Sequence, residues 1–429
     1  MDESRKRHLL SLPLLVLAGI AEALCPHCTE DPKFRIWRTP IHSESPRPLM
    51  LGTGALANLA VTCKDLYAIV NPVLYHQLQG PSAGRLSLLR TLAKRPELAR
   101  RVKVLRLDFD TGIEEIENEE DRTFARTLAG RLGWSIAFPT AVDRENGLGS
   151  YRRERMDDDF ITSMIIAMCP NVENLSTICD EFDDLDLPRP ATLQHLKDFY
   201  LTHDNTEMGT GLQWIKRLFL AAPNIETITS HMTCSVGTDT LPLSNVRHLR
   251  LEWSSISSGC LRTLLRSCPQ LESFAYEAGG ALIGDEQFNT QNLRTLLLRY
   301  VPRLKHLEVD FEQDCGMSEG DEGDEGDDDG SDPEPAPGFS SLAHLETLTV
   351  DPAVFNDWDE QQSVASLFPQ SLRSLTLLPA SSDTGPGNDE FEAFATIARN
   401  FFPNLTAFKI QNTWQSPPIE LPLGGDERA

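Results

Sequence analysis

Apolar residues recur along this chain in one phrase: a run at helical spacing, a proline, then x-Leu-x-x-Leu-x-Leu. Leu261–Glu277 (LRTLLRSCPQLESFAYE) and Leu293–Asp310 (LRTLLLRYVPRLKHLEVD) show it most plainly. In both, LRTLL places its leucines along one side of a helix. Pro269 or Pro302 then stops that helix, because proline has no amide proton to donate and its ring crowds the preceding turn. Leu271, Phe274 and Tyr276, like Leu304, Leu307 and Val309, finish with the two-residue alternation of a strand. A unit this short cannot cover its own apolar face, so copies must stack on one another. The pattern predicts an α/β solenoid.

Further copies carry different residues in the same places. Pro170 leads into Val172, Leu175 and Thr177, Pro223 into Ile225 and Ile228, Pro369 into Leu372, Leu375 and Leu377, and Pro403 into Leu405, Phe408 and Ile410. Copies without the proline fall at Leu196-Phe199-Leu201, Val246-Leu249-Leu251 and Leu345-Leu348-Val350, with a first strand expected at Val102-Leu105-Leu107. Most neighbouring starts lie roughly twenty to thirty-odd residues apart, the period of leucine-rich repeats. From about residue 100 onward the chain resembles the irregular leucine-rich repeats of fungal-type F-box proteins. It departs from them where an asparagine or cysteine is expected, five residues after the second leucine. Asp180, Asp204, Thr233, Ser254 or Thr413 stands there in some copies and can still bond turn amides. Gly279, Glu312, Ala353 and Ala380 in others cannot do so equally. An ordinary α/β domain with coincidental leucines is the other reading.

The first residues are ambiguous. Arg5-Lys6-Arg7, the apolar LLSLPLLVLAGI and Ala21-Glu22-Ala23 follow the grammar of a secretory signal peptide. The same residues read equally as an amphipathic helix opened by Ser11, with Pro13 in its first turn and Leu17, Ile20 and Leu24 along one face. Further on, Leu56, Leu59, Cys63, Leu66 and Val70 keep helical spacing, and Pro72 is expected to start another helix carrying Leu74, Tyr75 and Leu78. Together these stretches resemble an F-box: the Leu12-Pro13 start, a helix over Leu15–Leu24, then L-x-x-L-x-x-x-C-K-x-L and a closing P-x-L-Y. Such a domain docks the Skp adaptor of a cullin-RING ubiquitin ligase. The resemblance implies adaptor contacts at Leu12, Pro13, Val16, Leu17, Ile20, Leu59, Lys64, Leu74 and Tyr75. The long separation of its first two helices, Cys25–Gly54, is unusual for the family. The organisation expected is therefore a helical F-box-like domain over 1–80 with a loop insertion at 25–54, then a repeat solenoid over 81–415. Loops interrupt the solenoid at 111–159 and 313–338, and a flexible tail follows at 416–429.

Composition changes the picture mainly by exclusion. A chain of 429 residues, 40% hydrophobic, has ample material for a large core. Its formal net charge of −25 argues against nucleic acid or an anionic membrane as the main partner. The nine cysteines show no disulfide-framework spacing, and Cys169, Cys260 and Cys268, set among helical leucines, are expected to be buried thiols. A reducing compartment, cytoplasmic or nuclear, fits this usage.

Several local features compete for notice. Cys25-Pro26-His27-Cys28 has the spacing of a disulfide oxidoreductase, but it follows a helix and leads into a proline-rich stretch. A zinc site would need two more ligands, and the nearest in sequence, His42 and Cys63, stand at no recognised spacing. An exposed loop is the expectation there. Residues 85–106, with Arg85, Arg90, Lys94, Arg95, Arg100, Arg101, Lys103 and Arg106 against Glu97, read as a solvated basic face. Thr111–Asp159, acidic over Glu114–Asp121 and Gly-rich at Asn146–Gly149, reads as a loop with some helix around Thr123–Leu132. From Gln313 to Gly338 the residues are nearly all Asp, Glu, Gly and Pro, which cannot build a packed core. Ser318 and Ser331 there have the acidic contexts of acidophilic kinase sites.

Catalytic signatures are absent: the chain has no G-x-S-x-G, P-loop, H-E-x-x-H or dinucleotide fingerprint, and its ten histidines are scattered. The expectation is a protein with no enzymatic activity, cofactor or metal, acting through surfaces. In x-Leu-x-Leu-x strands the residues between the leucines are expected to line the concave sheet: Arg106, Asp108, Tyr200, Arg250, Glu252, Glu308, Asp310, Thr376, Lys409 and Gln411, with Tyr200, Arg250, Glu252, Glu308, Asp310 and Lys409 the candidates for holding a target. The leading expectation is a substrate receptor that joins a Skp-type adaptor to an unknown target protein. A repeat scaffold whose F-box-like helices merely cap the first core face, and a secreted repeat protein, are the other readings.

Overall fold

The computed structural model describes residues 10, 12–29, 47–79, 84–107, 118–134, 160–178, 187, 192–202, 209–279, 288, 290–311, 338–355, 363–379, 388–411 and 419–420. Two compact units divide the chain. The first comprises Met1–Cys179, Asp183–Leu201 and Leu220–Asn224; the second comprises Asp180–Phe182, Thr202–Phe219 and Ile225–Ala429. Asp108, Asp180, Asp204, Glu312, Thr413 and Ala380, His42, residues 135–159 and the acidic run up to Pro337 lie outside the described residues.

The first unit opens with helix α1 (Leu14–Leu24), α2 (Pro26–Thr29), α3 (Arg47–Ala60) and α4 (Lys64–Leu74). Ala21, Cys25, Leu56, Ala60, Val70 and Val73 form their common core, with Leu24, Leu59 and Leu74 packed against it. Three expectations need correction. Pro13, not Ser11, precedes α1, and its carbonyl accepts the amides of Val16 and Leu17 at 2.9 and 3.1 Å. The interval 25–54 is not one loop, since α2 occupies its start and α3 begins at Arg47. Gly52 and Gly54 are poor helix formers, but burial of Leu56 and Ala60 outweighs local propensity. Pro72 starts no new helix. It lies inside α4, in its last turn, where it cannot donate to the carbonyl four residues back, and the helical break falls at Val61-Thr62.

Beyond α4 comes a strand the sequence reading missed, β1 (Gln77–Gln79), which pairs in parallel with β2 (Val104–Leu107). Helices α5 (Arg85–Lys94) and α6 (Pro96–Ala99) connect them. Arg85 corrects the solvated-face reading: it is buried, and its guanidinium donates to the Leu107 carbonyl at 3.0 Å and to Thr162 Oγ1 at 3.2 Å. Helix α7 (Glu119–Arg131) starts earlier than Thr123, because Asn118 caps it by accepting the Asp121 amide at 2.8 Å. Its acidic first turn also suits the helix dipole. Asp121 pairs with Arg90 of α5. Helix α8 (160–168) then leads to β3 (Asn174–Ile178), and β4 (Asp198–Thr202) follows in the order β1-β2-β3-β4.

The second unit holds a mainly parallel sheet in the order β6 (Thr227–His231), β8 (His248–Ser254), β9 (Ser273–Ala278), β10 (His306–Asp310), β11 (Thr347–Val350), β12 (Ser374–Leu377), β13 (Ala407–Ile410). A short pair, β5 (Thr210–Gly211) and β7 (Thr233–Ser235), lies apart from it. The sheet's register follows the sequence phrase. Ile228, Leu249, Phe274, Leu307, Leu348, Leu375 and Phe408 stand in one row. Leu251, Tyr276, Val309, Val350, Leu377 and Ile410 form the next buried row. The same turn precedes successive strands: the amides of Leu271, Leu304 and Leu405 donate to the carbonyls three residues back, at 3.0–3.1 Å. Pro269, Pro302 and Pro403 occupy its second position, where their fixed φ is already correct. Gly338, at φ 69°, lies where any Cβ would meet the Leu367 carbonyl oxygen, so this position takes a residue without one. The tail expectation is corrected too: β14 (Ile419–Glu420) pairs antiparallel with β13.

Charges of alternating sign border this sheet, one before each of β6, β8, β9, β10, β11 and β12: Glu226, Arg247, Glu272, Lys305, Glu346 and Arg373. Each amide donates to the preceding member's carbonyl at 2.8–2.9 Å, and side-chain pairs close at 3.2 Å (Arg247–Glu272), 2.7 Å (Lys305–Glu272) and 3.5 Å (Arg373–Glu346). Lys305 holds the Glu272 carboxyl below the usual range. The first unit repeats the device with Lys103 and Glu173 at 2.7 Å. No described helix is long and apolar enough to cross a membrane.

Candidate functional site

The start of α1 exposes apolar side chains: Leu10, Leu12, Leu14, Leu15 and Val16 are all at least 38% accessible, and Leu15 reaches 85%. Pro13 is exposed beside them and Ile20 is half-buried. The other residues expected to touch an adaptor are distributed differently. Leu17 is buried, Leu59 and Leu74 pack on the helical core, and Lys64 is exposed. Leu17 cannot be a surface contact: at the α1 N-terminus only its side points toward the core. Tyr75 is half-buried, and burial raises its hydroxyl pKa against an opposing pull from Arg95. Arg95 itself contacts the exposed Tyr67 hydroxyl at 3.3 Å.

The second unit gathers charge on the half-exposed face of its sheet. Arg250 of β8, Ala275 of β9 and Glu308 of β10 occupy one row. Alanine leaves the way clear, and the Arg250 guanidinium crosses it to Glu308 Oε2 at 2.6 Å. Arg250 also lies 4.0 Å from Glu252. Glu277 stands opposite Asp310, and its carboxyl is pushed up to about 7. Burial is the main cause, helped by the Asp310 and Glu252 carboxylates and opposed by Arg250 and a hydrogen bond from Trp253.

Trp253 is the unusual member of this group. Strict alternation would put it inward beside Leu249 and Leu251, but the β8–β9 register slips between Leu251 and Ser254. The slip turns Ser254 inward and leaves Trp253 42% exposed, stacked 6.2 Å from His231. Trp253 and Met232 both hold positive φ, 47° and 58°, which is costly for bulky residues. The inward Ser254 hydroxyl accepts the Thr233 amide at 3.0 Å, as expected of a polar residue at that repeat position. Tyr200, expected on the outward face, is buried because both faces of β4 are covered. Arg106, Thr376, Lys409 and Gln411 are half-buried.

The Cys-Pro-His-Cys segment is not an exposed loop. Cys25 is buried in the helical core, with its thiol 3.9 Å from the Val73 carbonyl, and only Cys28 faces outward. His76, in the turn between α4 and β1, closes on it: Nδ1 is 3.4 Å from Cys28 Sγ, and the His27 and His76 rings meet edge to face at 5.5 Å. Cys63 lies at the start of α4, outside this group. Sequence spacing could not identify His76, which no motif links to the cysteines. The thiols of Cys169 and Cys268 are different in kind: burial pushes both up to about 12, so they are inert packing groups.

No protein-family model matches this chain, and no curated protein matches it. Among solved structures, a Bacteroides fragilis protein is similar at 12% identity and a TM-score of 0.33, over 72% of this chain and 88% of its own. That likeness is too slight to assign a fold or a function.

Proposed function

We propose that this chain is a non-catalytic substrate receptor of a cullin-RING, SCF-type ubiquitin ligase. The N-terminal helices dock a Skp-type adaptor, and the half-exposed sheet face of the second unit holds a target protein. The observation that carries this reading is the apolar surface at the start of α1, where Leu14 and Leu15 are 66% and 85% accessible above a well-packed helical core. Clustered exposed leucines of this kind favour a protein partner. Burial of Leu17, and of Ala21 within that core, favours a helix retained in the working protein rather than cleaved away. On the target side, an exposed Trp253 held at a costly φ beside Arg250, Glu277 and Glu308 favours a binding face. Such a receptor raises the local concentration of target lysines near a charged conjugating enzyme and needs no catalytic groups of its own.

The pairing of β1 with β2 favours a second reading, in which the helices only cap the edge of the repeats and the protein is an interaction scaffold. Pull-down of purified Skp-type adaptor by the full chain separates the two. Retention is expected. Failure of the intact wild-type chain to retain the adaptor would remove the receptor reading and leave the scaffold.

A further inference from the structure

The group formed by Cys25, His27, Cys28 and His76 has no part in either reading. One ligand-capable atom from each residue lies within 4.8 Å of the others. Cys28 Sγ is 3.4 Å from His76 Nδ1 and 3.6 Å from His27 Nδ1. With metal–sulfur bonds near 2.3 Å and metal–nitrogen bonds near 2.0–2.1 Å, a tetrahedral site has a sulfur–nitrogen edge of about 3.5 Å. The widest separation closes with side-chain shifts of about 1 Å.

The backbone is arranged to present these atoms. The amides of Cys28 and Thr29 donate to the Cys25 carbonyl at 3.0 and 3.1 Å, and Thr29 Oγ1 donates to it at 3.0 Å. That turn brings two thiols three positions apart to one side, the spacing of a zinc knuckle. His76 is held from both directions: its amide donates to Val73, and its carbonyl accepts from Lys103 and Val104, all at 2.9–3.0 Å.

A second, independent feature lies behind His27. Its Nε2, remote from the thiols, is 3.8 Å from Glu173 Oε2, while Glu173 Oε1 is held by Lys103 at 2.7 Å. An imidazole bound to metal through Nδ1 carries its proton on Nε2, and a carboxylate there fixes its tautomer and orientation.

We propose that Cys25, His27, Cys28 and His76 form a closed tetrahedral site for Zn2+, with Glu173 orienting His27. Two thiolates balance the ion's charge, and the mixed sulfur and nitrogen set favours Zn2+ over Mg2+ or Ca2+. Four protein ligands leave no open position, so the role is structural. The ion ties the α1–α2 junction to the α4–β1 turn, across the chain interval between α2 and α3. A thiol–disulfide couple at Cys25 and Cys28 is the competing chemistry, but it gives the convergence of both histidines no purpose.

The test uses the full chain, reduced and stripped of metal, titrated with Co2+ and then with Zn2+. One equivalent of Co2+ should produce the intense visible bands of a tetrahedral site and thiolate-to-metal charge transfer, both removed by Zn2+. Cys28→Ser, at an exposed position, and His76→Gln should abolish these bands with circular dichroism unchanged. Glu173→Gln should keep the spectrum and weaken affinity by about 10–100-fold. Cys260→Ser should change nothing. Zinc content of the protein as purified, near one per wild-type chain and near zero for Cys28→Ser, answers the question even if stripping unfolds the chain. An octahedral Co2+ spectrum, zinc retained by Cys28→Ser, or a Cys25–Cys28 disulfide that forms unimpeded in saturating Zn2+ would each overturn the proposal.

Discussion

Cys28 Sγ and His76 Nδ1 lie 3.4 Å apart although 48 positions separate them in the chain. The contact exists because α1 and α4 share a core through Ala21, Cys25, Val70 and Val73, which brings the ends of both helices together. If a metal ion spans this junction, its binding energy is folding energy for the first unit. A chelator at neutral pH should then lower that unit's thermal midpoint, read by calorimetry, and readded Zn2+ should restore it. A midpoint indifferent to chelator would mean that no ion contributes to stability.

Leu307 and Glu308 are neighbours on β10 with opposite surroundings. Leu307 is fully buried, and Leu307→Ala should cost about 2–5 kcal/mol through lost burial and a residual cavity. Glu308 makes a half-exposed pair with Arg250, so Glu308→Ala should cost no more than about 1 kcal/mol. Denaturant midpoints would measure both. Equal losses would contradict the strand register, since a slip of one residue exchanges the faces.

Glu277 predicts a pH dependence. Its folded-state carboxyl titrates at about 7, raised from the ordinary 4.5 of an unfolded glutamate. The folded state therefore favours the proton more than the unfolded state does. That contribution is complete below about 4.5 and is lost as pH rises through about 7. Glu277→Gln keeps an acceptor for Trp253 and removes the ionisation. The variant should melt above wild type at mildly alkaline pH, with the gap closing toward about pH 5. A gap constant across that range would rule out this assignment.

The alternating border makes a different prediction. Lys305 lies between Glu272 and Glu346, so Lys305→Glu sets three carboxylates in succession. The loss should be on the order of 1 kcal/mol at low salt and should shrink in 1 M salt, where screening acts within about 3 Å. Adding Glu272→Lys should not rescue it, because the new lysine then meets Arg247 and the new carboxylate still meets Glu346. Full rescue by the exchanged pair, read from urea midpoints, would mean the charges act as isolated couples.

For the adaptor surface, Leu12→Asp combined with Leu15→Asp should abolish adaptor retention, since charge at the centre of a small apolar interface is not compensated. Both side chains are exposed, so circular dichroism and the thermal midpoint should match wild type. Leu17→Asp, at a buried position, should instead unfold the helical core. Undiminished binding by the double variant would place the adaptor contact elsewhere.

Much of the fold was legible in the residues. The row Ile228, Leu249, Phe274, Leu307, Leu348, Leu375 and Phe408 was marked by its place in a recurring phrase, because strand alternation and proline-bearing turns are local chemistry. The alternating border charges also stand at fixed places in that phrase, though their meaning needs the register that sets them side by side. Other features had no local sign. α3 runs through glycines because Leu56 and Ala60 find a core, Tyr200 is buried because both faces of its strand are covered, and Trp253 faces outward because the register slips beside it. His76 is the clearest case. Its neighbours in sequence mark no ligand, and only helix packing and the pairing of β1 with β2 bring it to the two cysteines. Sequence periodicity determined which residues alternate between core and surface, since that depends on backbone geometry a few residues long. Which distant side chains meet was decided by tertiary packing, because their convergence depends on the summed burial of whole elements.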